Sequence, residues 1–221
     1  MIQGVLFDMD GVLLDTERVG FDLLPLAAKQ LGYDFTAETY QKVLGVNRKT
    51  SARIYRELFG EDFPCEELDR IFFQSLLRRA ENGGMPLKKG FLECIAGLKE
   101  RGVKIALATS SDRKVVQVYQ SHTPGMEGVF DEMVCGLEIS RGKPEPDIYL
   151  LAAEKLGLSP AQCVGVEDSR FGLMSLRAAG CFSVMIPDLL PYDESLAPYV
   201  DERLADLTQV CPLLDRLNGR G

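Results

Sequence analysis

The 221 residues carry 46% hydrophobic and 26% charged side chains, a balance that excludes a disordered chain, and no apolar run is long enough to cross a bilayer. A net charge of −8, with no dense run of lysine and arginine, excludes nucleic acid and anionic membrane as partners. The six cysteines form no Cys-x-x-Cys pair and have no histidine cluster beside them, so they read as small buried hydrophobes in a reducing compartment and not as a zinc site.

In chain order, residues 2–7 form an apolar run ending at Asp8, the pattern of a buried strand whose carboxyl end opens onto something polar. The chain opens without a basic segment, a long apolar run and a cleavage site, so a cytoplasmic location is expected. Residues 16–85 then show helical spacing alone. Leu24, Ala27, Ala28 and Leu31 mark one apolar face, Ile54 and Leu58 a second, and Ile71, Phe72, Leu76 and Leu77 a third. The turn-rich stretch at 81–86 reads as a return linker. Beyond it, apolar runs at 103–108, 132–135, 164–166 and 182–186 alternate with amphipathic patterns at 91–101, 113–120, 147–156 and 170–179. Strand alternating with helix predicts an α/β fold, a parallel sheet with helices on both faces. Residues 1–15 and 86–221 form this core, and 16–85 a small helical domain inserted into it.

Asp8 and Asp10 stand two positions apart at the end of the first strand, so in an extended chain they point to the same side. Glu167 and Asp168 follow another apolar run. If those strands are neighbours, four carboxylates meet in one small volume, where a hard cation is needed to offset their repulsion, and Mg²⁺ with oxygen ligands is the economical choice. Lys143 sits in a loop stiffened by Pro144 and Pro146, and Thr109, Ser110 and Ser111 end the strand at 103–108. A cation, hydroxyls and backbone N–H groups at a strand-to-helix turn make an anion site.

These segments, in this order, resemble the haloacid dehalogenase-like superfamily over nearly the whole chain. Residues 8–16 match its first motif, 107–110 the second, 142–147 the third and 165–169 the fourth. The resemblance implies a Rossmann-like core, a helical cap and Mg²⁺-dependent hydrolysis of a small phosphate ester through an aspartyl-phosphate. It implies that Asp8 is the nucleophile and Asp10 the general acid and base, with Thr109, the Ser110 N–H and Lys143 holding the transferred group. Asp8, Asp168, the Asp10 backbone carbonyl and Glu167, directly or through water, would hold the metal. Asp10 favours phosphate chemistry over dehalogenation, which has no need of an acid at that position.

The chain looks closest to the branch containing β-phosphoglucomutase and sugar-phosphate phosphatases, and a sugar phosphate is the expected substrate. Residues 45–48 match a cap segment whose arginine grips the non-transferring phosphate in the mutase, making Arg48 a candidate substrate clamp. Gly20 stands where the mutase carries a histidine thought to couple cap closure to the acid-base aspartate, which favours hydrolysis. His122, the one histidine, is expected to have no catalytic role. A phosphomutase is the alternative; a degenerate, non-catalytic binding protein is disfavoured because every motif acid and Lys143 are present. Oligomeric state is left open by the sequence.

Overall fold

The computed structural model describes residues 1–43 and 48–219, with the side chain of Arg48 outside the description. Six parallel strands run in the order β3-β2-β1-β4-β5-β6: β1 (Gly4–Phe7), β2 (Lys104–Thr109), β3 (Glu132–Cys135), β4 (Cys163–Glu167), β5 (Phe182–Met185) and β6 (Glu202–Arg203). This is the Rossmann-like α/β arrangement expected of the sequence. The first five strands lie on the five predicted apolar runs, with ends displaced by a residue or two.

Alternation along the strands explains why helices cover both faces. Val5, Phe7, Ile105 and Leu107 point into one core, with Leu98 of α5 (Phe91–Glu100), Val116 of α6 (Arg113–His122) and Leu214 of α9 (Val210–Leu217). Leu6, Ala106 and Ala108 point the other way, onto Tyr149, Ala152 and Ala153 of α7 (Asp147–Lys155) and Leu176 of α8 (Arg170–Ala179). A sheet covered on both sides must consist of nearly unbroken apolar strands, and β1 is buried at every position.

The stretch between β1 and α5 contains α1 (Thr16–Gln30), α2 (Ala37–Val43), α3 (Arg48–Phe59) and α4 (Cys65–Glu81) and, among the described residues, no strand. Leu24, Ala27 and Ala28 of α1 and Leu68 of α4 share a second core with Phe35, Tyr55 and Phe63. On α3 the buried face differs from the expected one: Leu58 is exposed, whereas Tyr55 is buried and Phe59 stacks on Phe35 at 4.9 Å between ring centroids. The rings occupy this core because they bury more surface per residue than Ile54 and Leu58 could.

The chain crosses between the two bodies twice, and the crossings lie side by side. Asp15 N–H donates to the Pro86 carbonyl at 2.9 Å and Lys88 N–H to that of Leu13 at 2.9 Å, around an antiparallel bridge between Leu14 and Leu87. Among the described residues no helix is long and apolar enough to cross a membrane. None of the six cysteines is in a disulfide and all are buried, in keeping with the reading of them as core hydrophobes.

Candidate active site

Sheet register brings the first acids together. Phe7 is level with Leu107 on one side and Val166 on the other, so Asp8 emerges beside the ends of β2 and β4, and its N–H donates to the Val166 carbonyl at 3.0 Å. The chain runs from β1 to β2 and β3 on one side, then crosses back to place β4, β5 and β6 on the other, so the strand order reverses at β1. Crevices of open parallel sheets lie at such a reversal, outside the carboxyl ends of the strands. Here it is a cleft of about 160 Å³ whose wall includes Asp8, Asp10, Ser110, Lys143 and Asp168.

Lys143 is the centre of the arrangement. Its ammonium donates to Asp8 Oδ1 at 2.5 Å, to Glu167 Oε1 at 2.6 Å and to the Ala108 carbonyl at 3.2 Å, and lies 5.0 Å from the centroid of the Tyr149 ring. Although burial opposes it, the two carboxylates hold the ammonium above its ordinary range. Glu167 is fully buried and saturated. Its Oε1 accepts from Lys143 and from the Tyr149 hydroxyl at 2.7 Å, and its Oε2 accepts from the N–H groups of Asp168 and Ser169 and from the Ser169 hydroxyl. These donors, Lys143 foremost, keep it ionised below its usual range against the pull of burial.

The other acids are pushed the opposite way. Burial raises Asp8 to about 8, against the attraction of Lys143 and with repulsion from Glu167 and Asp10 added. Burial, then Glu167 and Asp8, raise Asp168 well above its ordinary value. Asp8, Glu167 and Asp168 each offer a carboxylate oxygen within 4.8 Å of the others. One ammonium does not neutralise this group, and hard oxygen donors at that spacing fit a small divalent cation. With both Glu167 oxygens occupied, Asp8 and Asp168 are the acids best able to face it.

Asp10 is turned away from this cluster, and its Oδ2 accepts from the Ser111 hydroxyl at 2.9 Å. Burial raises its pKa, partly offset by hydroxyls including that of Ser111. Thr109 is fully buried and its hydroxyl accepts from the Ser111 N–H at 3.1 Å, while Ser110 is exposed to the cleft. The turn after Asp10 depends on Gly11, whose φ of +80° suits glycine and whose missing side chain leaves the space taken by the Asp168 carboxylate. Gly172 plays the corresponding part beneath Glu167, in the first turn of α8, where a side chain would collide with the carboxylate.

Of the residues singled out in the sequence, Asp8, Asp10, Ser110, Lys143 and Asp168 therefore share one cleft, with Thr109 and Glu167 directly behind it. Arg48 opens α3, and its side chain lies outside the described residues. His122 ends α6, bonded locally to Ser121 and the Val118 carbonyl. Sequence reasoning missed Tyr149, buried two residues into α7, and Glu17, which lines the cleft from α1. Burial and then the Asp10 charge push Glu17 up to about 7, and the Tyr40 hydroxyl donates to its backbone carbonyl at 2.8 Å. For Glu17 the available signal was its position next to Thr16, at the end of the first motif.

A doubly wound α/β sheet with a buried lysine and an acidic crevice at its switch point is the framework of an enzyme. The chain belongs to the haloacid dehalogenase-like hydrolase family, whose pattern it matches over residues 2–180. It is 33% identical over 187 residues to the phosphorylated carbohydrates phosphatase of Thermotoga maritima, covering 81% of this chain and 82% of that one. The crystal structure of CbbY from Rhodobacter sphaeroides in complex with phosphate has a TM-score of 0.82 at 27% identity, covering 95% of this chain and 96% of CbbY. A variant of that CbbY holding xylulose-(1,5)bisphosphate gives 0.81 at the same identity and coverage.

Proposed function

We propose that this protein is a Mg²⁺-dependent phosphatase that hydrolyses a small phosphorylated metabolite, of the sugar-phosphate class, through a phosphorylated Asp8. The observation that carries the reading is Lys143, which bridges Asp8 and the saturated Glu167 and so fixes the Asp8 carboxylate at the mouth of the cleft. In the first step an Asp8 oxygen bonds to phosphorus as the ester P–O bond opposite it breaks, and Asp10 gives its proton to the departing alcohol oxygen. A raised pKa lets Asp10 hold that proton, and the Ser111 hydroxyl keeps its carboxyl oriented. In the second step Asp10 takes a proton from water, the water oxygen bonds to phosphorus, and the Asp8–phosphorus bond breaks to release inorganic phosphate.

Lys143, the Thr109 hydroxyl and the Ser110 N–H hold the phosphoryl oxygens as charge shifts during transfer. Asp8, Asp168 and the Asp10 carbonyl would hold Mg²⁺, with Glu167 behind them contributing its negative charge and the anchor for Lys143. When bound, the ion supplies positive charge that offsets repulsion between the carboxylate nucleophile and the anionic ester. The sugar-phosphate class is supported by the relatives named above. A mutase would have to shield its phospho-enzyme from water; Gly20 supplies no gating side chain in this protein and His122 is bonded elsewhere, which supports hydrolysis.

The test is phosphate release across a panel of sugar phosphates with Mg²⁺, with glucose 6-phosphate formation from β-glucose 1-phosphate followed in parallel. Turnover that disappears in Asp8→Asn is expected. Undiminished turnover in that variant would exclude the covalent route, and isomerisation outpacing phosphate release would establish the mutase.

A further inference from the structure

We infer that Tyr149 is a positioning residue for phosphoryl transfer: its hydroxyl shares one oxygen of Glu167 with Lys143, and so lets the lysine turn a hydrogen bond from Glu167 to the transferred group. The inference rests on the phosphatase reading above, which gives Lys143 the task of holding a phosphoryl oxygen. An ammonium has three hydrogens to donate. Here all of them are engaged, by Asp8 Oδ1 at 2.5 Å, Glu167 Oε1 at 2.6 Å and the Ala108 carbonyl at 3.2 Å. A phosphoryl group arriving on Asp8 must therefore displace one of these acceptors.

What each acceptor would be left with decides which one yields. The Glu167 side chain is 1% exposed, so an oxygen that loses its donor there finds no water in exchange, and a buried charge left unpaired is costly. Among the described residues, Glu167 Oε1 is the one acceptor of the three with a second side-chain donor, the Tyr149 hydroxyl at 2.7 Å. The Asp8 bond aims the nucleophile, and the Ala108 carbonyl has no other side-chain partner. Glu167 itself stays in place while Lys143 shifts, because its Oε2 is fixed by the N–H groups of Asp168 and Ser169 and by the Ser169 hydroxyl.

Tyr149 has little freedom of its own. It is fully buried near the start of α7, in the core formed with Leu6, Ala106 and Ala108, and its N–H donates to the Pro146 carbonyl at 3.1 Å. The loop between Lys143 and α7 is tied to α8 by the Ser175 hydroxyl, which donates to the Glu145 carbonyl at 2.6 Å. The Tyr149 ring, 5.0 Å from the ammonium, attracts the cation from one side whichever acceptor it faces. Packing alone would be served by a ring without a polar tip. A hydroxyl this deep has a place only through its bond to Glu167.

Tyr149→Phe keeps the ring and removes that bond. With p-nitrophenyl phosphate and Mg²⁺, kcat is expected to fall about tenfold or more, the size of a lost hydrogen bond to a charged group, while KM changes less than about twofold. In Lys143→Met there is no ammonium to position, and adding Tyr149→Phe should change kcat by less than about twofold. Orthovanadate, a five-coordinate mimic of the transition state, should bind Tyr149→Phe about tenfold more weakly than the parent by calorimetry with Mg²⁺. Unchanged kcat in Tyr149→Phe, whatever its Tm, would reduce the hydroxyl to a structural group and overturn the inference. So would an equal tenfold loss in the Lys143→Met background, which would show that the hydroxyl acts without the lysine. If Lys143→Met does not fold, the vanadate measurement takes its place, and affinity equal to the parent dismisses Tyr149. A parent that hydrolyses no ester, yet loses vanadate affinity in Tyr149→Phe, would retire the phosphatase reading and leave the positioning of Lys143 standing.

Discussion

Replacing Lys143 with methionine tests the electrostatic design of the site directly. The lysine side chain is 8% exposed, and its two partners, Asp8 and Glu167, are 10% and 1% exposed, so its removal strands two buried carboxylates. Deleting one partner of a buried ion pair costs about 3–5 kcal/mol, which for a chain of this length lowers Tm by roughly 6–20 °C. The loss depends on pH. In the parent, Lys143 holds Glu167 below its ordinary pKa, so this carboxylate contributes stability above the unfolded-state value that disappears as pH falls through the lower, folded one. In Lys143→Met that contribution is gone and both acids must take up protons to stay buried. The deficit should therefore be full near pH 8 and shrink toward pH 5. Calorimetric melting of metal-free parent and variant at the two pH values measures it, alongside phosphate release, which should fall at least about a hundredfold. An equal Tm deficit at both pH values would show that the lysine acts through packing alone and would refute the charge argument.

Three further outcomes follow from the same geometry. Turnover should disappear in excess chelator and return with Mg²⁺ but hardly with Ca²⁺, whose larger and looser shell disturbs in-line transfer; full activity in chelator would exclude the metal assignment. Asp10→Asn should still accept a phosphoryl group on Asp8 from p-nitrophenyl phosphate, whose leaving group needs little protonation, but release it slowly, so that phosphorylated protein accumulates in intact-mass spectra. Absence of the adduct would assign the proton transfers elsewhere. Glu17, raised to about 7, makes the fold less stable as pH rises from its unfolded value of 4.5 to 7, because the folded state resists its ionisation. Glu17→Gln should flatten the pH dependence of Tm in that window and be more stable at pH 8 by at most about 3 kcal/mol; a parallel pH profile would place the titration on another group.

What the sequence conveyed clearly was whatever repeats or alternates. Buried parallel strands must be apolar throughout, so β1 through β5 were legible, and each acid of interest followed the end of such a run. β6 was not, because Glu202 and Arg203 carry no apolar signal and pair only by following β5 along the sheet edge. The last helix was hidden by its brevity and by Pro212 in its first turn, a position where proline is tolerated but reads as a break. On α3 the face was misjudged because ring packing among Tyr33, Phe35, Phe59 and Phe63 overrode the aliphatic spacing of Ile54 and Leu58. Glu17 was passed over since no periodicity distinguishes a half-buried acid from a solvated one at the start of a helix.

The adjacent acids Glu167 and Asp168 show how far strand geometry alone can carry a division of labour. Neighbouring residues in an extended chain face opposite sides, so two carboxylates in succession at the end of β4 cannot both enter one cleft in the same way. Glu167, the last residue of the strand, turns inward to Tyr149 and Lys143, where the N-terminal turn of α8 saturates its remaining oxygen. Asp168 turns the other way, to the space that Gly11 leaves open, and lines the cleft. Exchanging the two acids would keep composition and charge, yet it would place the shorter side chain beneath Lys143 and the longer one against Gly11. A double variant, Glu167→Asp with Asp168→Glu, should therefore lose both the lysine anchor and the open face of the acid cluster. It should bind Mg²⁺ at least about tenfold more weakly by calorimetry, because a shell that orients ligands is typically worth that much in affinity. Affinity equal to the parent would mean that the cluster tolerates either acid at either place, and that the alternation has no part in building the site.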